Sequence, residues 1–152
     1  MLEVPKITGI RPNDWEVVDR AFDSVEPQRI ACCNWADEYP YTPDVRFRMF
    51  HTGDYLMVRF DVAERYTAAR VEEDNGRVWT DSCVEIFIAP DEKTYYNFET
   101  SCIGRMLLGA HRQGEKTVPA SAEVLASVKR HTSLPSTPFE ERVGDNRWHA
   151  VL

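Results

Sequence analysis

An indole, two carboxylates and an amide are concentrated in one short part of this 152-residue chain. They belong to Trp79, Glu85, Asn97 and Glu99. Carboxylates and amides hydrogen-bond to hydroxyl groups, and the electron-rich face of an indole attracts polarised C–H bonds. This combination is better suited to gripping a polar ring than to filling a core.

The positions of these side chains depend on a β-hairpin that the sequence predicts. Residues 82–89 and 95–101 form two strand-like runs, joined by the Pro-containing segment 90–94. If Ile86 pairs with Phe98, the apolar side chains of both strands share one face. Alternation then places the following residues on the other face: Trp79, Asp81, Cys83, Glu85 and Phe87.

The same register sets Glu85 opposite Glu99 and Phe87 opposite Asn97. Two facing carboxylates repel each other unless a cation, a shared proton or a ligand hydroxyl lies between them. The sequence leaves three candidates for the group that lies between these carboxylates. One is a guanidinium, with Arg105 or Arg59 nearest in sequence; another is calcium, which prefers several oxygen ligands. The third is a sugar, whose hydroxyls donate to the carboxylates while the indole stacks on its C–H face.

Simpler roles compete with each of these assignments. Trp79 could cover the rim of the fold, Glu85 and Glu99 could be solvated residues on an exposed sheet face, and Asn97 could cap a strand end. A glycoside hydrolase is the catalytic alternative. Cβ atoms about 5 Å apart could bring the two carboxyls near the roughly 5.5 Å separation of retaining enzymes.

Charge and cysteine content narrow the function classes. The 25 acidic and 18 basic residues give a net charge of −7, and no basic stripe predicts a nucleic-acid partner. No apolar run approaches the roughly 20 residues that span a bilayer, so no membrane partner is predicted. No signal peptide is visible, and an extracellular or periplasmic location stays open if a leader was removed. Cys32, Cys33, Cys83 and Cys102 lack zinc-ligand spacing and are expected to be free, mostly buried thiols.

The overall pattern predicts an all-β fold, an antiparallel β-sandwich of immunoglobulin-like or jelly-roll-like type, in a single domain over residues 1–152. Strands are expected at 46–51 and 55–62, in the hairpin above, and at 106–110, 127–132 and 147–152. A short helix over 12–22 would be capped by Asn13 or Asp14. Residues 133–146 are expected to be a polar loop.

The chain ends inside the strand-like segment 147–152, which includes Trp148. We therefore expect the sandwich to lack its last strands in this chain, because the sequence is truncated or because another chain completes the fold. An open sheet edge of this kind could lead to self-association.

Several motifs together resemble the family 9-like carbohydrate-binding modules. They are the segment 35–43 (WADEYPYTP), the segment 78–88 around Trp79, Asp81, Ser82 and Glu85, the segment 95–99 (YYNFE), and Gly104. The resemblance extends from about residue 30 to the end of the chain, and residues 78–104 are its specific part.

The resemblance implies a β-sandwich that binds a mono- or oligosaccharide without cleaving it. In this family such modules accompany glycoside hydrolases and recognise the reducing ends of β-glucans and xylans, in support of polysaccharide catabolism. It implies that Trp79 forms one wall around a terminal sugar, and that Glu85 and Arg105 contact its hydroxyls. The family's second stacking Trp has no match here, because Trp148 resembles a core residue. Calcium accompanies some members, and the spacing of the acidic residues shows no contiguous calcium-binding loop.

Overall fold

The computed structural model describes residues 2–152, which form two antiparallel sheets packed face to face. The elements in chain order are α1 (Trp15–Phe22), β1 (Gln28–Ile30), β2 (Asp44–His51), β3 (Leu56–Ala69), a 3₁₀ turn (Val78–Thr80), β4 (Cys83–Ile88), β5 (Thr94–Ser101), β6 (Met106–Arg112), β7 (Val118–Pro119), α2 (Ala122–Ser127), β8 (His131–Thr132) and β9 (Phe139–Val151). The five-stranded sheet has the order β1-β2-β3-β9-β8, and the four-stranded sheet has the order β4-β5-β6-β7. The predicted antiparallel β-sandwich is confirmed.

The main core lies between the two sheets and follows from strand alternation. Phe60, Val62 and Ala150 project from β3 and β9, while Met106 and Leu108 project from β6. All five side chains are at most 5% exposed, so each contributes about 1 to 3 kcal/mol through burial. Burial of the alternate residues fixes the strand register, because a slip of one residue would turn these side chains to solvent.

A second cluster packs α1 against the side of the five-stranded sheet that points away from the other sheet. Val18 and Phe22 of the helix pack with Phe50, Met57 and Val151 of β2, β3 and β9. The helix begins as predicted, with Asp14 as N-cap and its Oδ1 accepting a hydrogen bond of 3.3 Å from the backbone N–H of Val17.

Both predicted hairpins are confirmed. β2 pairs with β3 across the connection 52–54, where Gly53 adopts a φ of +113° that side chains rarely tolerate. β4 pairs with β5 in the predicted register, with Ile86 opposite Phe98 and Glu85 opposite Glu99.

The predictions for residues 127–146 were partly wrong. Ser121 caps α2, which occupies Ala122–Ser127, so that only His131–Thr132 of the predicted strand pairs with a neighbour. The expected polar loop contains the first half of β9, from Phe139 onward. That half pairs with the end of β3, and residues 140–145 are all exposed, so the sequence there gave no strand signal.

The second half of β9 was predicted as a strand, and Trp148 lies in it as a core residue, 4% exposed. Its Nε1 donates a hydrogen bond of 2.7 Å to Glu64 Oε1, which satisfies the only polar atom of the buried indole. All four cysteines are free, as expected, but the expectation that most are buried was wrong, because Cys32 and Cys33 are exposed and only Cys102 is fully buried. Among residues 2–152, no helix has the length and hydropathy to cross a membrane.

Candidate functional site

The four-stranded sheet buries one face against the core and presents the other, which we call the outer face. Val84, Thr100 and Met106 belong to the buried side. Strand alternation and the pairing of β4, β5 and β6 assign these residues to the outer face: Glu85, Phe87, Tyr95, Asn97, Glu99, Gly109 and His111.

Two polar side chains on the outer face are buried. Asn97 is 7% exposed and Glu99 is 8% exposed, and Asn97 Nδ2 donates a hydrogen bond of 2.7 Å to Glu99 Oε1. Asn97 Oδ1 and Glu99 Oε2 are also buried, and neither accepts a hydrogen bond from a described residue. Buried oxygens of this kind are costly to leave unpaired, so they mark a place where donors from a ligand would be favourable.

The negative charge of Glu99 lies in an unfavourable environment. Burial raises the pKa of Glu99, the negative charge of Glu85 raises it further, and the hydrogen bond from Asn97 opposes these effects. Partial burial also raises the pKa of Glu85. The Cys83 thiol, with its pKa raised by burial and by both carboxylates, stays protonated. A ligand that brings hydroxyl donors would stabilise the ionised carboxylates.

Trp79 is not a strand residue, contrary to the predicted alternation. It lies in the 3₁₀ turn Val78–Thr80, beside the end of the sheet where β4 begins. Val78 is fully buried and Trp79 is half exposed, because the turn directs consecutive side chains to different sides. The guanidinium carbon of Arg77 lies 5.6 Å from the centroid of the Trp79 ring, a cation–π contact that orients the indole.

Asp81 was expected on the outer face, but its carboxylate is used to hold the turn. Its Oδ2 accepts hydrogen bonds of 2.9 Å from the backbone N–H groups of Arg70 and Val71. The middle of this connection is held by Asp74, whose carboxylate accepts two hydrogen bonds of 2.9 Å from Arg130. The turn that carries Trp79 is therefore held by backbone hydrogen bonds that join the two ends of the segment 70–82 and by an ion pair in its middle.

Arg59 and Arg105 were the two arginines predicted as possible partners of the Glu85–Glu99 pair. Arg59 is wrong as a partner of the carboxylate pair, because it binds Asp61 at 2.8 Å and Asp19 at 3.0 Å on the five-stranded sheet. Arg105 follows β5 and donates from Nη2 to the carbonyl of Ser136 at 3.4 Å. Its Nε is buried and donates no hydrogen bond to a described residue, so Arg105 has donor capacity left for a ligand.

Three aromatic residues of the outer face were not predicted as site residues. Phe87 is 60% exposed and Tyr95 is 40% exposed, and the Tyr95 ring stacks on His111 with centroids 4.4 Å apart. Alternation carried a usable signal for Tyr95, which is two residues before Asn97. His111 could be placed only once the pairing of β5 with β6 was known.

Metal-ligand clusters and a further hollow do not indicate a different site. Among residues 2–152, no group of three or more His, Cys, Asp and Glu side chains is arranged to hold a metal ion. A hollow of about 480 Å³ lies on the five-stranded sheet and includes Asp61 and His149, but none of the predicted site residues. Asp61 there is already paired with Arg48 and Arg59, and the hollow has no exposed aromatic wall.

The comparisons with known proteins identify a family and a similar fold. The profile of carbohydrate-binding family 9 matches residues 16–152. A crystal structure of a protein from Bacteroides uniformis ATCC 8492, proposed to bind carbohydrate, superposes with a TM-score of 0.93 and 42% sequence identity. The alignment covers 99% of this chain and 70% of that one. No curated protein sequence matches the chain significantly.

A β-sandwich with a polar and aromatic outer face is the architecture of a carbohydrate-binding module. The family match extends over nearly the whole chain, so the chain belongs to carbohydrate-binding family 9. This confirms the resemblance seen in residues 78–104.

Proposed function

We propose that the module binds the terminal, reducing-end sugar of a β-glucan or xylan without cleaving it, in support of polysaccharide catabolism. The ligand contacts are assigned to Trp79, Glu85, Asn97, Glu99 and Arg105. The observation that carries this proposal is the buried Asn97–Glu99 pair, which faces Glu85 and keeps two oxygens free of hydrogen bonds from the protein.

The chemistry of the pair suits hydroxyl groups. Asn97 Oδ1, Glu99 Oε2 and the Glu85 carboxylate are acceptors, and sugar hydroxyls are donors that can point to several acceptors at once. Hydrogen bonds to charged acceptors contribute more than those between neutral groups, by roughly a factor of two. The Arg105 guanidinium complements them as a donor to ring or hydroxyl oxygens.

Trp79 supplies the apolar contact that these hydrogen bonds cannot supply. The axial C–H bonds of a pyranose form an apolar patch that packs on an aromatic face. Since Trp79 is half exposed and held by Arg77, its ring is accessible and already ordered. Only this one Trp wall is assigned among the described residues, so the affinity for a single sugar is expected to be modest.

The direct test replaces the aromatic wall. Trp79→Ala should weaken binding of cellobiose or xylobiose at least about thirtyfold, equivalent to about 2 kcal/mol, in calorimetric titration. Trp35→Ala is the matched control, because Trp35 is 70% exposed and lies in the connection between β1 and β2, not on the four-stranded sheet. Unchanged affinity in Trp79→Ala, with a native circular dichroism spectrum, would remove Trp79 from the site.

Hydrolysis by Glu85 and Glu99 is the alternative that the facing carboxylates support. Glu99 is buried and already accepts a hydrogen bond from Asn97, which limits its access to an attacking water or glycosidic oxygen. Incubation of the wild-type protein with aryl glycosides separates the two functions. Turnover that disappears in Glu85→Gln would establish the hydrolase and contradict a purely binding role.

Self-association through an open sheet edge is the remaining alternative. β4 is the outermost strand of its sheet, and Ile88 on it is 36% exposed. A second strand could pair with this edge. Sedimentation velocity over a range of concentrations, without sugar, would detect it as a concentration-dependent mass.

A further inference from the structure

We propose that the outer face continues into a second subsite, formed by Phe87, Tyr95 and His111, which takes the next units of an uncharged oligosaccharide chain. This inference rests on the proposed function, because it extends the same face away from Glu85 and Glu99. The module would then hold a stretch of a polysaccharide end and not only its last sugar.

The three rings form one continuous surface. Tyr95 and His111 lie directly opposite each other in the β5–β6 ladder, with ring centroids 4.4 Å apart and planes inclined by only 3°. Phe87 adjoins Tyr95 with a centroid separation of 6.1 Å. His111 is fixed from its other side by a hydrogen bond of 3.0 Å between Nδ1 and Thr117 Oγ1.

Exposure makes these rings unusual. Phe87 and Tyr95 leave 60% and 40% of their surface in water, because strand alternation places both on the outer face. Rings that are already stacked and ordered lose little further conformational entropy when a ligand covers them. An ordered, exposed aromatic surface therefore favours apolar contact with the C–H groups of a sugar.

Gly109 lies on the outer face between the two subsites. Gly109 pairs with Asn97, and a Cβ at Gly109 would come within 3.1 Å of His111 Nε2 and of Thr117 Cγ2. The lack of a side chain thus makes room for His111 and Thr117, which lie over this position beside the buried pair. Four residues of strand separate Glu99 from Tyr95, a distance of about 14 Å, which exceeds the width of one sugar ring.

A hollow of about 470 Å³ adjoins the far end of the rings. Its walls include Tyr95 and His111, and its charged residues are Asp91, Glu92, Lys93, Arg112 and Glu115. The positive and negative charges nearly cancel, which favours an uncharged chain over a polyanion. Asp91 is already engaged, since its Oδ1 accepts hydrogen bonds of 2.8 Å from the backbone N–H groups of Lys93 and Thr94.

The test compares ligand lengths. Wild-type protein, Tyr95→Ala and Phe87→Ala are titrated calorimetrically with glucose, xylose, cellotetraose and xylotetraose. Tyr39→Ala is the control, because Tyr39 is an exposed tyrosine outside the outer face. We expect the wild type to bind one tetrasaccharide more tightly than its monosaccharide. Both outer-face variants should lose about tenfold in tetrasaccharide affinity, and Tyr95→Ala, four strand positions away from Glu99, should keep its monosaccharide affinity.

The outcomes separate this inference from the function on which it rests. Equal wild-type affinity for monosaccharide and tetrasaccharide would overturn the second subsite and leave the terminal-sugar site intact. Full tetrasaccharide affinity in both Tyr95→Ala and Phe87→Ala, with native circular dichroism spectra, would do the same. A wild type that binds none of the four sugars would overturn both proposals.

Discussion

Glu99 lies directly opposite Glu85 in the β4–β5 ladder, and both carboxyls have a raised pKa. The causes are burial and, for Glu99, the charge of its partner. A natural protein retains such a pair at a cost in stability, which is common where the charges serve binding. Three predictions concern this pair and the turn that carries Trp79.

Sugar binding should depend on pH through the two carboxylates. Sugar hydroxyls donate to the ionised form, so the ligand binds the deprotonated protein more tightly. Because both pKa values lie above the ordinary Glu value, affinity should begin to fall at a pH higher than that value and should continue to fall on further acidification. Titrations from pH 7.5 to pH 4.5, with folding checked at each pH, measure this. A flat profile would contradict the role of the pair.

Glu99→Gln should stabilise the free protein at neutral pH. A carboxyl with a raised folded-state pKa destabilises the fold above that pKa, and the penalty disappears once the carboxyl is protonated. The variant should gain about 1 kcal/mol in the free energy of unfolding at pH 7, and the gain should shrink as the pH falls. Urea unfolding at several pH values tests this.

The comparison needs a control and a binding measurement. Glu92→Gln removes the same charge at an exposed position and should leave the stability nearly unchanged. Sugar affinity should decrease in Glu99→Gln even though the fold becomes more stable. A variant that is less stable than the wild type at pH 7 would show that the Glu99 charge is satisfied in the folded state.

Asp81→Ala should weaken sugar binding without contact to the ligand. The substitution leaves the backbone N–H groups of Arg70 and Val71 without their acceptor, which costs about 1 to 2 kcal/mol of stability and loosens the turn of Trp79. We expect several-fold weaker binding. Asp145→Ala, on an exposed ion pair with Arg147, is the control and should change neither quantity. Wild-type affinity in Asp81→Ala would mean that Trp79 is positioned by other contacts.

The hairpin register could be predicted because its apolar residues alternate on both strands. Ile86 and Phe98 had to share a face, and this pairing alone placed Glu85 opposite Glu99. The position of Trp79 could not be predicted in the same way. Its turn is held by Asp81 and Asp74, and their partners are distant in sequence, with Arg130 56 residues beyond Asp74.

The polar part of β9 and the contact between Tyr95 and His111 could not be predicted from the sequence either. Residues 140–145 are exposed and four of these six are charged, and only pairing with the end of β3 makes them a strand. His111 joins Tyr95 through the pairing of β5 with β6, which no local pattern announces. The positions of such residues depend on tertiary contacts, so the sequence predicted the facing pair Glu85 and Glu99 but not the stacking of Tyr95 on His111.

Reducing-end recognition is the central claim, and one calorimetric experiment tests it directly. The wild-type protein is titrated with glucose, cellobiose, xylobiose and cellobiitol, the last of which lacks a cyclic reducing end. The proposed site predicts binding of the cyclic sugars and no binding of cellobiitol at the same concentrations. Cellobiitol binding as tight as that of cellobiose, or no binding of any of the four, would contradict it.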